Sequence, residues 1–169
     1  MRQPYFLVKG ERLVLRRDGT WESNGTEITH EPTHEAFSRN IHWDEEAGKY
    51  FISLGYERIH VEVEDTPYFI TALEKSGTSE KSAWTARLST QESLSITPEA
   101  LEYRERALYL RLADGQHARF LSAPYYEILG DLQEDENGYF LTVGGKRVGL
   151  APKGSPNPAS RRERPKRRG

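Results

Sequence analysis

The chain carries a copy of part of itself, and this limits its folds more than any other feature. Tyr50-Phe-Ile-Ser-Leu-Gly-Tyr-Glu-Arg-Ile-His-Val61 aligns without a gap on Tyr139-Phe-Leu-Thr-Val-Gly-Gly-Lys-Arg-Val-Gly-Leu150, with four of the twelve positions identical and five more conservatively exchanged. A segment repeated in sequence is a unit repeated in structure, so the architecture must hold two copies of it. The surroundings repeat as well. An acidic turn precedes each copy, Asp44-Glu-Glu-Ala-Gly48 and Asp135-Glu-Asn-Gly138, with Gly where a positive φ is usually needed. Further upstream lie two short helix signals, Thr29 with Pro32 and Phe37, then Ser122 with Pro124 and Leu129, in which a hydroxyl can cap and Pro fits the first turn. Each copy opens on an apolar stretch and an Asp-Gly pair, at 18–19 and 114–115, a hairpin signal.

One unit therefore reads strand, Asp-Gly turn, strand, short helix, acidic turn and closing hairpin. Between the copies, Tyr68 to Leu73 and Trp84 to Leu88 flank the polar loop 74–82 as a further hairpin, and Thr97-Pro98 starts one helical turn at most. The expected fold is α+β and mainly antiparallel β, with two similar β-rich units that each carry one short helix. The expected division is 1–75 for the first unit, 76–150 for the second and 151–169 for a basic tail. That tail holds seven basic side chains against one acid and no large apolar side chain, so its charge is +6 and disorder is predicted for it. Residues 1–150 hold 17 basic and 25 acidic side chains, a net charge of -8.

Composition mostly excludes. Hydrophobic residues make up 36% of the 169, and 18 aromatics spread along the chain supply the bulk that a core of this size needs. Zero Cys removes disulfides, zinc-thiolate sites, iron-sulfur clusters and thiol nucleophiles together. No apolar run approaches the roughly 18 residues of a membrane span, and the first twelve residues lack the apolar middle of a signal peptide. A cytoplasmic location is the expectation.

At this point the residues resemble a known family. Asp18-Gly-Thr-Trp21, Gly25, Ile28, Phe37, Asp44, Gly48 and Tyr50 lie in the first half, followed by Val63-Glu-Asp-Thr-Pro-Tyr68. The second half has Ala118-Arg-Phe-Leu-Ser-Ala-Pro-Tyr-Tyr-Glu-Ile-Leu129. In this order the segments resemble bacterial domain-of-unknown-function family 1285, over roughly residues 13 to 150. The chain departs from the pattern at Leu54 to Arg58, where a Thr-Pro pair is expected. The resemblance implies a β-rich two-part fold and carries no activity, so it transfers no catalytic residue.

Candidate chemistry has to come from the residues themselves. Along Ile59 to Val63, strand alternation puts Ile59, Val61 and Val63 on one face and His60, Glu62 and Glu64 on the other, with Asp65 just beyond. The second copy ends without acids, so the folding unit does not require this acidic face, and a divalent cation or a cationic partner group is one reading of it. The other is a solvated strand face. His30-Glu31-Pro32-Thr33-His34 spells a metalloprotease string, but it falls on a helix start rather than on a stable interior. Among the aromatics Trp21, Trp43, Trp84, Tyr125 and Tyr126, core packing is the main expectation, with Trp21 and Tyr126 as candidates for a ligand groove. Arg58 and Arg147 occupy equivalent repeat positions, which argues for a structural contact. In the tail, Arg161, Arg162, Arg164, Lys166, Arg167 and Arg168 are candidates for weak, non-specific polyanion contact.

No catalytic motif, Gly-rich phosphate loop or cofactor signature is present. The leading expectation is a non-enzymatic regulatory or signalling-type binding module for a protein partner or small ligand, without a cofactor, whose two halves meet at a cleft. The alternatives are a metal-dependent hydrolase using His60, Glu62, Glu64 and Asp65, and an accessory nucleic-acid binder working through the tail.

Overall fold

Leu13 and Leu15 are buried on either side of a half-exposed Val14, the alternation of a strand with one wet face. This strand, β1 (Leu13–Leu15), turns at Asp18-Gly19 into β2 (Trp21–Ser23) and short β3 (Thr26–Glu27). Helix α1 (Glu31–Arg39) follows, then β4 (Ile41–Asp44), β5 (Lys49–Leu54) and β6 (Glu57–Val63). The second part runs through β7 (Tyr68–Ser76), β8 (Ala83–Leu88), β9 (Ser93–Ser95), β10 (Leu101–Arg104), β11 (Ala107–Arg111) and β12 (His117–Phe120). It ends with α2 (Ser122–Ile128), β13 (Gln133–Asp135), β14 (Gly138–Val143) and β15 (Lys146–Pro152). Single 3-10 turns lie at Pro98–Ala100 and Leu129–Asp131. These coordinates are a computed structural model, which describes residues 12–55, 57–77 and 82–160.

The strands form two six-stranded sheets, ordered β3-β2-β1-β6-β5-β4 and β10-β11-β12-β7-β8-β9, and a three-stranded sheet β13-β14-β15. Pairing is antiparallel except for β1 with β6 and β12 with β7. Both repeated segments are hairpins with equivalent ends: Leu54 pairs with Glu57, and Val143 with Lys146. Gly55 and Gly144 turn them at φ 63° and 57°, a backbone that favours Gly. Equivalence extends to Arg58, whose guanidinium lies 3.8 Å over Phe51 and pairs with Asp44. Likewise Arg147 lies 3.6 Å over Phe140 and pairs with Asp135. Both arginines hold their own hairpin, as the repeat predicts.

The copies diverge in how they close. In the first, β6 returns to pair with β1 and completes one sheet. In the second, β15 does not pair with β11, and β12 pairs in parallel with β7. The chain thus leaves the first sheet after Val63 and enters the second at Tyr68, upstream of the 75/76 division suggested by sequence.

Each six-stranded sheet has its own core. The first packs Leu13, Leu15, Trp21, Phe37, Ile41, Ile52, Val61 and Phe69. The second is larger and includes Ile70, Trp84, Leu88, Leu108, Leu110, Phe120, Ile128 and Leu141, while Tyr68 packs against both. The helix caps differ from expectation. His30 and Leu121 hold the N-cap positions without a side-chain cap bond, because Pro in the first turn of each helix removes a donor that a cap would serve. The tail also differs. Ala151 and Pro152 belong to β15, and the buried Pro158 accepts a 2.7 Å hydrogen bond from the Tyr125 hydroxyl. The ordered body therefore extends through Ser160, and the six tail residues proposed for polyanion contact lie outside the described residues. Among the described residues no helix is long and apolar enough to cross a membrane.

Candidate functional site

The Asp18-Gly19 turn of the first unit reaches the second. A Cβ at Gly19 would stand 3.0 Å from Leu121 Cδ2 and 3.7 Å from the Phe69 ring, so the turn lies directly against the second unit. Its φ of 87° is a conformation that favours Gly. Beside this junction opens a cleft of about 670 Å³. Arg17 and Asp18 of the first unit line it together with Arg106, Arg119, Leu121 and Tyr126 of the second, and so do Pro158 and Ser160. The size falls within the range of small-molecule sites, roughly 300–1,000 Å³.

Its polar groups come from separate elements and are held from behind. Asp65, in the link between sheets, accepts a 2.6 Å hydrogen bond from the Tyr109 hydroxyl and one of 2.9 Å from Arg119 Nη1. Partial burial disfavours its charge, but these two donors outweigh that and hold the carboxyl below the ordinary carboxylate range. The stability this carboxylate contributes is therefore present above the ordinary carboxyl pKa and is lost as pH falls through the lowered value. Glu64 accepts from the Arg17 backbone N–H at 3.1 Å and from Arg16 Nη1 at 3.1 Å; the backbone bond is the main reason its pKa is lowered. Asp18 turns one oxygen back to the Thr20 N–H at 3.0 Å. Arg106 and its neighbour Glu105 adopt φ of 63° and 50°, left-handed conformations that non-glycine residues seldom take. Arg106 is exposed and, among the described residues, has no ion-pair partner.

The residues predicted as a cation site are dispersed over different arginines. Glu62 takes two hydrogen bonds from Arg12, at 2.9 and 2.7 Å, which lower its pKa. It faces a depression of about 510 Å³ together with His60, Trp43 and Tyr50, whereas Glu64 and Asp65 do not line that depression. No group of three or more metal-ligating side chains occurs among the described residues. In the metalloprotease-like string, His30 Nδ1 lies 2.8 Å from Thr33 Oγ1 and His34 Nε2 lies 3.0 Å from the Gly19 carbonyl, so the two rings face different partners.

Of the groove candidates, Tyr126 lines the cleft and packs edge-on against Tyr125, with ring centroids 5.0 Å apart. Trp21 is fully buried and does not line it. Trp43, expected in the core, is instead 45% exposed on edge strand β4, packed edge-on against Tyr50. Sequence reading missed Arg17, Arg106 and Arg119. The positive φ at 105–106 has no signal in the residue types, and the convergence of the three arginines depends on how the two sheets meet.

No protein-family model matches the chain, and no curated protein does. Among solved structures, the chain is similar to a DUF1285 family protein from Silicibacter pomeroyi, at 19% identity and a TM-score of 0.62, over 83% of this chain and 80% of that one. It is also similar to a DUF1285 family protein from Shewanella baltica, at 19% identity and a TM-score of 0.52, over 73% of this chain and 94% of that one. DUF denotes a domain of unknown function, so this likeness supplies a fold and no activity. The fold of the chain is therefore similar to that of DUF1285 family proteins.

Proposed function

We propose that the protein is a non-enzymatic regulatory or signalling-type binding module, and that the cleft between its two units takes the protein partner or small ligand. One observation carries this reading: groups from both units, namely Arg17, Arg106, Arg119 and Tyr126, converge on one concavity. In this reading Glu64 and Asp65 are positioning residues that fix the cleft arginines from outside, rather than ligands for a metal. A partially exposed Tyr offers an apolar ring with a polar tip, suited to a site that is empty for part of the time.

A thermal-shift screen of metals, nucleotides and metabolites tests the proposal, because a ligand that binds only the native state raises its melting temperature by mass action. Stabilisation by any active compound is expected to disappear in Tyr126→Ala and to persist in Glu62→Gln, whose carboxylate pairs with Arg12 away from the cleft. Stabilisation that survives Tyr126→Ala and is lost in Glu62→Gln, above all with Ca²⁺ or Mn²⁺, would move the site to the acidic strand.

A further inference from the structure

We propose that the open edge of β4 takes an extended, basic segment of a partner protein as an added strand. β4 ends the first six-stranded sheet. The Ser53 N–H donates to the Asn40 carbonyl at 3.0 Å, and bonded positions alternate along an antiparallel pair. Ile41 and Trp43 therefore turn their N–H and C=O groups to the open side, where these groups have no partner among the described residues. The second copy shows that the folding unit does not require such an edge. There β13 takes the place of β4, since Glu134 pairs with Tyr139 as Trp43 pairs with Tyr50. That edge carries Gln133, Glu134 and Asp135, polar and charged side chains of the kind that discourage strand addition. In β4 the position of Glu134 is held by Trp43, the large apolar side chain exposed among the described residues. Trp43 shares a face with buried Ile41, so an added strand with apolar side chains opposite these two extends the first core.

Space for such a strand lies beside this edge. Ile41 and His42 both line a concavity of about 490 Å³. Neighbouring strand residues point to opposite faces, so a space lined by both lies off the edge of β4 rather than over one face. Leu88, Leu94 and Leu112 of the second unit also line it and offer apolar contact to the incoming side chains. So does Thr90, whose Oγ1 is buried without a hydrogen-bond partner among the described residues. Charge selects a basic occupant. Glu92 and Asp114 belong to the lining, and Glu45 and Glu46 follow β4 in its turn. Among the described residues none of these four carboxylates is in an ion pair, and the basic residues of the lining are Arg39 and His42. The charge of -8 over residues 1–150 steers the same kind of partner toward the body.

The test is isothermal titration of the full-length protein with three end-blocked peptides. They are Lys-Val-Lys-Val-Lys, the same peptide N-methylated at both valines, and Glu-Val-Glu-Val-Glu. The basic peptide is expected to bind with a dissociation constant of about 0.1 mM or tighter. N-methylation keeps charge and side chains but removes the donors that face β4, and is expected to weaken binding about tenfold or more. The acidic peptide is expected to bind about tenfold or more weakly than the basic one. Trp43→Pro removes an outward N–H and leaves the β4–β5 ladder whole, as edge strands allow, and is expected to weaken the basic peptide about tenfold or more. Circular dichroism checks that this variant is folded, and Glu92→Lys, at an exposed side chain, is expected to weaken the same peptide about threefold or more. No binding of the basic peptide up to about 1 mM would overturn the proposal, as would equal binding of its N-methylated form or indifference to both variants. Tighter binding of the acidic peptide would overturn the choice of a basic partner. Sedimentation that shows a dimer abolished by Trp43→Pro, with no peptide bound, would overturn it in favour of a second copy of this chain.

Discussion

Trp21→Ala is expected to destabilise the protein by about 3–5 kcal/mol, the cost typical of removing a fully buried aromatic side chain. The sequence made Trp21 a groove candidate as one of the aromatics able to line a concave surface. In the structure it is the centre of the first core, packed edge-on against Phe37 at 5.3 Å between ring centroids and 72° between planes. Its Nε1–H donates to Ser38 Oγ at 3.0 Å, so both the ring and its one polar atom are satisfied by α1. Truncation would leave a cavity between β1, β2 and α1 and orphan a buried hydroxyl. Trp43 and Trp84 remain as fluorescent reporters for urea unfolding of the variant. A loss below about 1 kcal/mol would mean that the ring stands at a surface rather than in a core.

Gly138→Ala is expected to cost about 2–6 kcal/mol, combining overpacking with backbone strain. At Gly138 φ is 130°, and an added Cβ would lie 2.1 Å from the Ala151 carbonyl oxygen, 2.7 Å from the Pro152 carbonyl carbon and 2.8 Å from the Lys153 nitrogen. All three are backbone atoms, so no side-chain rotation relieves the contact. The end of β15 would have to move, carrying with it the segment whose Pro158 accepts from Tyr125 and lines the cleft. Circular dichroism with urea titration measures the loss. A variant as stable as the wild type would show that β14 and β15 do not meet this closely at Gly138.

The repeat made much of the fold legible. Gly55 and Gly144, Phe51 and Phe140, and Arg58 and Arg147 keep equivalent roles because each acts within its own hairpin, where sequence neighbours determine the geometry. What sequence could not show was how each copy closes. The parallel pairing of β6 with β1, and that of β12 with β7, joins strands far apart in the chain and depends on the packing of whole sheets. The tail was misread up to Ser160 for a related reason: composition registers the scarcity of large apolar residues but not the single Pro158 carbonyl that meets a buried Tyr.

The candidate site divides along the same line. Alternation correctly separated His60 and Glu62 from Val61, yet the partners of the acids were invisible because Arg12, Arg16, Arg17 and Arg119 lie from 47 to 54 residues away in sequence. Tyr126 could be singled out from its place in the second helix signal. The arginines that surround it could not, since each belongs to a different element and only the meeting of the two units gathers them.

The central claim, that the junction of the two units is the binding site, is tested most directly by hydrogen–deuterium exchange on the full-length protein. The compound that most stabilises the wild type in the thermal-shift screen serves as the ligand. Added protection is expected in 17–18 of the first unit and in 106–107, 119–126 and 158–160 of the second, the segments that contribute to the cleft lining. Protection confined to 59–64, or none in any cleft segment, would contradict the claim.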